Sequence, residues 1–153
     1  MIIYLTGPLF SEADKAYLSM LSQKLQSEGY VVFWPGKIIT GKDIVDFGTE
    51  APAAIFNYCR DALDRSNLVV ALLDGAQIDD GTAWEVGYAY AKGIPVYGLR
   101  TDVRQAGETR YNQVNSMIQE CLVALVGNTQ ELFKRVVEEQ VNRNSVDEAE
   151  KRG

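Results

Sequence analysis

The densest run of chemically capable side chains is residues 74–89, Asp-Gly-Ala-Gln-Ile-Asp-Asp-Gly-Thr-Ala-Trp-Glu-Val-Gly-Tyr-Ala. Four carboxylates fall within twelve residues: Asp74, Asp79, Asp80 and Glu85. A pair of carboxylates about one helical turn apart suits glycosyl transfer, in which one attacks the anomeric carbon and the other manages the proton on the leaving group. Read as part of the first turn of a helix, Glu85 gains from free N–H groups and the helix dipole, which keep an anion ionised and fixed. Asp79, six residues earlier, can fold back over the same spot. The same residues also have a plain structural reading. Thr82-x-x-Glu85 is a capping box, Asp79-Asp80-Gly81 is an ordinary turn, and Ala83, Gly87 and Ala91 form a small-residue stripe suited to close packing on a sheet.

Composition narrows the chemistry further. The 153-residue chain has no histidine. That excludes Ser-His-Asp and Cys-His triads, histidine zinc sites and histidine acid–base roles. The working groups are carboxylates, Tyr, Lys, Cys and the backbone. No metal or cofactor is expected. Net charge is −6 and Lys and Arg are scattered, whereas a nucleic-acid binder needs a basic stripe. Two cysteines within apolar patterns, Cys59 and Cys121, fit a reducing, cytoplasmic setting better than a disulfide framework. The longest apolar run, residues 68–73, falls far short of the ~20 residues of a membrane span. The N-terminus lacks a basic region and a cleavage site, so it reads as a strand and not as a signal peptide.

The elements that must position these residues alternate between strand and helix. Residues 2–6 read as a strand closed by Gly7-Pro8. Ser11-x-x-Asp14 opens a helix with Tyr17, Met20, Leu21 and Leu25 at helical spacing, and Gly29 stops it. Residues 30–34 form a second strand, and residues 36–50, with no clear period, read as a long loop. Pro52 opens the next helix. Residues 68–73 are the continuous apolar run of a strand buried on both faces. Helix 82–92, strand 94–99, a short helix near 112–119, strand 121–126 and a last helix capped by Asn128-x-x-Glu131 complete a domain over residues 1–142. A charged, frayed tail follows over 143–153. This alternation implies a flavodoxin-like α/β fold, a five-stranded parallel sheet in the order 2-1-3-4-5 with helices on both faces. Ligands bind such sheets at the C-terminal ends of strands 1 and 3, here Thr6-Gly7-Pro8 and Asp74-Gly75.

The block Asp79-Asp80-Gly81-Thr82-Ala83-Trp84-Glu85-Val86-Gly87-Tyr88-Ala89 resembles the signature of the nucleoside 2-deoxyribosyltransferase family. Three further segments fit it in order. Ile3-Tyr4-Leu5-Thr6-Gly7-Pro8-Leu9-Phe10 is similar to the family's opening strand and loop. Leu99-Arg100-Thr101-Asp102-Val103-Arg104 is similar to the loop after strand 4 of one branch, and Asn115-Ser116-Met117 to its Asn-x-Met segment. The resemblance spans residues 2 to 137. It implies Glu85 as the nucleophile, Asp79 as a base-contacting residue that assists protonation, and Tyr4 as the residue holding Glu85. It implies Asn115, from a neighbouring subunit, on the sugar 5′-hydroxyl, with Met117 beside it. Gly7, Asp74 and Gly81 complete the candidate substrate-binding set. The family often has an aspartate where this chain has Cys59, and Asp61, two residues on, faces about 200° away around the helix.

The expectation is therefore a cytoplasmic salvage enzyme that moves 2-deoxyribose between nucleobases through a covalent ester at Glu85. Its partners are nucleosides and free nucleobases, with no nucleic acid and no membrane, in a homo-oligomer built from dimers. A Gly-Ser-x-Arg-Gly phosphate loop is missing after the first strand, which favours a nucleoside over a nucleotide. The alternatives are an N-glycoside hydrolase on the same scaffold and a non-enzymatic nucleotide-binding sensor.

Overall fold

The computed structural model describes residues 1–38 and 41–150. Strands β1 (Ile2–Thr6), β2 (Val31–Phe33), β3 (Leu68–Leu72), β4 (Val96–Leu99) and β5 (Ala124–Val126) make one sheet in the order β2-β1-β3-β4-β5. All four pairings are parallel, the flavodoxin-like arrangement expected. β3, Leu-Val-Val-Ala-Leu, is buried at every position, as a central strand covered on both faces must be.

Helices α1 (Glu12–Ser27) and α7 (Thr129–Glu150) cover one face of the sheet. Leu18, Leu21, Leu25, Leu132 and Val136 pack there on Ile3, Leu5, Val70 and Leu99. Helices α4 (Ala51–Asp64) and α5 (Asp80–Ala91) cover the other, where Leu63, Val86 and Ala89 pack on Tyr4, Val69 and Ala71. The short α6 (Ser116–Gln119) borders this second face through Ile118. Successive strand side chains point to opposite faces. Ile3 and Leu5 therefore look toward α1, while Tyr4 and Thr6 look toward α5, and that alternation builds the site.

Local signals place the elements. Ser11 accepts from the Asp14 N–H at 3.0 Å, and the Asp14 carboxylate accepts from the Ser11 N–H at 3.3 Å, a full capping box for α1. Gly29, at φ 88°, turns the chain out of that helix, a conformation that favours glycine. Asn128 accepts from the Glu131 N–H at 2.9 Å and caps α7.

Three expectations are corrected. The stretch 36–50, read as a loop, contains α2 (Pro35–Ile38), α3 (Gly41–Phe47) and a 3-10 turn at Gly48–Glu50; residues 39 and 40 lie outside the described residues. α3 buries none of its residues, and its seven residues are too few for a repeating apolar period to show. Helix α5 begins at Asp80 and not near Thr82, because Asp79 supplies the N-cap. The last helix does not fray after Asn142 but continues to Glu150, with Arg143 paired to Glu139 at 2.8 Å one turn earlier. Among the described residues, no helix is long and apolar enough to cross a membrane.

Candidate active site

At the C-terminal edge of the sheet, β1 runs into Thr6-Gly7-Pro8 and β3 into Asp74-Gly75, with α5 rising beside them. Glu85, in the second turn of α5, is held from β1 by both carboxylate oxygens. The Tyr4 hydroxyl donates to Oε1 at 2.6 Å, and the Thr6 hydroxyl donates a short bond to Oε2. Tyr4 is fully buried and Thr6 nearly so. Two opposing effects set the charge on Glu85. Burial raises its pKa above the usual carboxylate value and the nearby negative charge of Asp79 adds to this, while the bonds from Thr6, Tyr4 and Cys59 pull it down. The net result is upward. The Tyr4 phenol is itself driven far upward, first by burial and then by the charge of Glu85, so it stays protonated and a donor.

Asp79 is tied into the start of α5. Its Oδ2 accepts from the Thr82 N–H at 2.9 Å and from the Thr82 hydroxyl at 2.9 Å. The capping box read from Thr82 and Glu85 is therefore replaced by Asp79 capping Thr82, which frees Glu85 to point at β1. The Thr82 hydroxyl lies 3.4 Å from that of Thr6. A continuous line of side chains thus joins the two carboxylates: Asp79, Thr82, Thr6, Glu85.

Asp79 also borders a cleft of about 590 Å³ whose wall includes Pro8, Phe10 and Gln77. Among the described residues, four carboxylates face this cleft, those of Asp14, Asp74, Asp79 and Asp102, against a single cation, Arg104. The far wall is the segment after β4, and it is strongly fastened. Asp74 Oδ1 accepts from the N–H groups of Thr101 at 2.6 Å and Asp102 at 2.9 Å, and its Oδ2 takes a short bond from the Thr101 hydroxyl. Arg100, buried, donates to three backbone carbonyls: Leu73 by a short bond, Gly75 at 3.1 Å and Arg104 at 2.7 Å. Arg104 grips Asp102 with Nε and Nη2, and that contact is the first cause holding the Asp102 carboxyl well below the usual range.

The remaining sequence-derived candidates divide. Gly7 has a packing reason to be glycine, since a Cβ there would lie 2.9 Å from Leu72 Cβ. Gly81 sits in the first turn of α5, where a Cβ would stand 3.3 Å from Asp79 Oδ2. Asp74 borders the cleft, but both its oxygens are engaged with residues 101 and 102. Asn115 caps α6, accepting from the Met117 N–H at 2.9 Å, and its Nδ2 donates to Glu108. Neither Asn115 nor Met117 borders the cleft, and Met117 is 78% exposed. Asp61 pairs with Arg60 at 2.7 Å on the surface of α4. Cys59, by contrast, joins the buried cluster around Tyr4. Its thiol lies in hydrogen-bonding reach of Tyr4 and Glu85, and burial is the first cause pushing it up to about 11.

Thr6, Thr82 and Arg100 are site residues to which sequence reasoning gave no part in the site, and Cys59, noted only as standing where the family often has an aspartate, joins them. For Thr6 the signal was present: it lies two residues after Tyr4 on one strand and so shares its face.

A parallel α/β sheet with a clamped carboxylate and a second carboxylate at its switch point defines a scaffold suited to glycosyl transfer. The family model described as Nucleoside 2-deoxyribosyltransferase matches residues 3–139. The chain belongs to that family. A conserved protein from Enterococcus faecalis is 31% identical, with 90% of this chain and 98% of that one aligned at a TM-score of 0.72. A 2-deoxyribosyltransferase from Bacillus psychrosaccharolyticus is 27% identical over 86% of this chain and 90% of that one, also at 0.72. A CMP N-glycosidase from Clostridium botulinum, 16% identical over 89% and 98% of the two chains at 0.57, shares the fold. A search of curated proteins returns no match.

Proposed function

We propose that this chain is a nucleoside 2-deoxyribosyltransferase of nucleoside salvage, working in the cytoplasm by double displacement through an ester at Glu85. The observation that carries this reading is the two-sided clamp on Glu85 by Tyr4 and Thr6, with Asp79 one relay away. A nucleophilic carboxylate needs a fixed plane and a preserved charge, and two donors from a central strand supply both. Glu85 attacks the anomeric carbon as the base leaves, and Asp79 delivers the proton that the base nitrogen takes up. A second base then attacks the anomeric carbon from the face the first one left, the bond from that carbon to the Glu85 oxygen breaks, and the Glu85 carboxylate is regenerated. Membership of the family and the Bacillus psychrosaccharolyticus neighbour support the chemistry. The substrate is a nucleoside and not a nucleotide, because three of the four carboxylates facing the cleft have no cation to offset them and would repel a phosphate. Asn115 and Met117 complete the site of a second copy of the chain, which accounts for an exposed Met117 away from its own cleft.

The test is base exchange. Incubated with 2′-deoxyinosine and adenine, the protein yields 2′-deoxyadenosine, measured by chromatography. The Glu85→Gln variant loses this by several orders of magnitude while remaining folded, as removal of a covalent nucleophile requires. Free deoxyribose as the main product would make it a hydrolase, and no turnover a sensor. More than about a tenth of wild-type exchange in Glu85→Gln would refute the nucleophile.

A further inference from the structure

The Thr6 hydroxyl has one proton and two acceptors within reach. It makes a short bond to Glu85 Oε2 and a long one, 3.4 Å, to Thr82 Oγ1. Thr82 in turn commits its proton to Asp79 Oδ2 at 2.9 Å. Both threonines are almost wholly buried, at 3% and 1% exposure, so water does not compete for these protons. An O–H···O bond of 3.4 Å is well beyond the usual 2.7–2.8 Å. It is the geometry of a position the proton does not occupy while Glu85 is charged.

We propose that Thr6 and Thr82 form a two-position hydroxyl relay that follows the negative charge as it moves between Glu85 and Asp79 during the reaction. This rests on the covalent reading above. In the first half-reaction the bond from C1′ to the base nitrogen breaks and its electron pair goes to that nitrogen, which takes the proton from Asp79. A lone pair on Glu85 forms the new bond to C1′. Starting from the form in which Asp79 has taken up the proton it donates, Glu85 thereby changes from carboxylate to neutral ester, and Asp79 from acid to carboxylate. Thr6 loses its charged acceptor at that moment and turns its proton to Thr82 Oγ1. That donation polarises the Thr82 hydroxyl and strengthens its bond to Asp79, where the charge now sits. The second half-reaction reverses both shifts. The two threonines are positioning residues, coupling the nucleophile to the proton donor through two buried hydroxyls.

Other ionisable groups are arranged so that they do not replace this path. Glu85 is faced by Tyr4 from β1 and Cys59 from α4, both raised and neutral. Asp79 is faced across the cleft by Asp14, Asp74, Asp102 and Arg104, and Arg104 is occupied by Asp102. None of these bridges Asp79 to Glu85.

The test compares 2′-deoxyguanosine with 7-methyl-2′-deoxyguanosine, whose leaving base is already cationic and needs no proton. Single-turnover base release is measured for wild type, Thr6→Val, Thr82→Val and the double variant. Thr82→Val loses about tenfold with 2′-deoxyguanosine, the equivalent of one buried hydrogen bond, and little with the methylated substrate. Thr6→Val, which touches Glu85 and not Asp79, slows both substrates but slows 2′-deoxyguanosine by the same extra factor. In the double variant that extra factor appears once, not squared. Thr6→Ser and Thr82→Ser, which keep the hydroxyls, restore the wild-type ratio. Equal slowing of both substrates by Thr6→Val, or extra factors that multiply in the double variant, would overturn the relay. If the Val variants do not fold, Thr6→Ala and Thr82→Ala carry the same comparison. Full activity of Glu85→Gln would instead remove the covalent reading itself, so the two failures are separable.

Discussion

Replacing Tyr4 with phenylalanine removes one oxygen from the site and leaves the ring that packs under α4 and α5. The lost contact is a 2.6 Å bond to Glu85 Oε1 from a fully buried hydroxyl. A hydrogen bond to a charged group contributes about 1.5–3 kcal/mol. Without that donor the charged form of Glu85 is less favoured, so its pKa in Tyr4→Phe moves further upward. The sign follows from linkage. A carboxylate raised in the folded state binds its proton more tightly there than in the unfolded chain. Stability is therefore greatest below the unfolded value of 4.5 and falls as pH rises through the folded value. Tyr4→Phe widens that gap. Denaturant melts of both proteins, below pH 4.5 and at neutral pH, read the effect directly. The variant is close to wild type in acid and about 1.5–3 kcal/mol less stable at neutral pH. The acid limb of its exchange rate shifts to higher pH. An equal loss of stability at both pH values, with an unmoved acid limb, would show that the hydroxyl does not hold the charge on Glu85.

Two other perturbations follow from the geometry. Arg100→Met keeps the length of the side chain but abandons the carbonyls of Leu73, Gly75 and Arg104; it lowers stability by about 2–4 kcal/mol in denaturant melts, and an unchanged midpoint would refute the strut. Mixing Glu85→Ala with Asn115→Ala subunits, each nearly inactive alone, restores exchange in up to a quarter of sites if Asn115 acts in the partner's cleft, and no recovery after proven subunit exchange would place its role within its own chain.

Strand β3 shows its place in the sequence plainly, because five apolar residues in a row have no exposed face to mark. The order β2-β1-β3-β4-β5 follows from alternation and handedness. The site was legible in part: Tyr4 lies against Glu85, where the family resemblance implied it, while Asp79 reaches Glu85 only through Thr82 and Thr6. The start of α5 was less so. Asp79 and Thr82 can each cap a helix, and only the three-dimensional partner of Glu85, Thr6, decides that Thr82 does not use it. Asn115 illustrates the opposite limit. Its segment matched the family, and within its own chain the side chain caps α6 and donates to Glu108, contacts that no motif in the sequence announces. Residues 36–50 escaped because helices of one or two turns are too short to leave a period to read.

The clamp on Glu85 belongs to β1, which has β2 on one side and β3 on the other, with Tyr4 and Thr6 in register with Val69 and Ala71. Amides in such a strand exchange with solvent only when the whole sheet opens. The alignment of Glu85 is therefore an all-or-none property: it persists up to global melting and vanishes with it, so thermal inactivation and thermal unfolding should coincide. The cleft wall obeys a different rule. Phe10, 82% exposed, sits outside the sheet on the loop after β1 and can open locally. In the proposed reaction, which base is accepted and how the sugar is attacked are thus governed by parts of the molecule with separate stabilities. Substitutions in the wall can retune the first without disturbing the second.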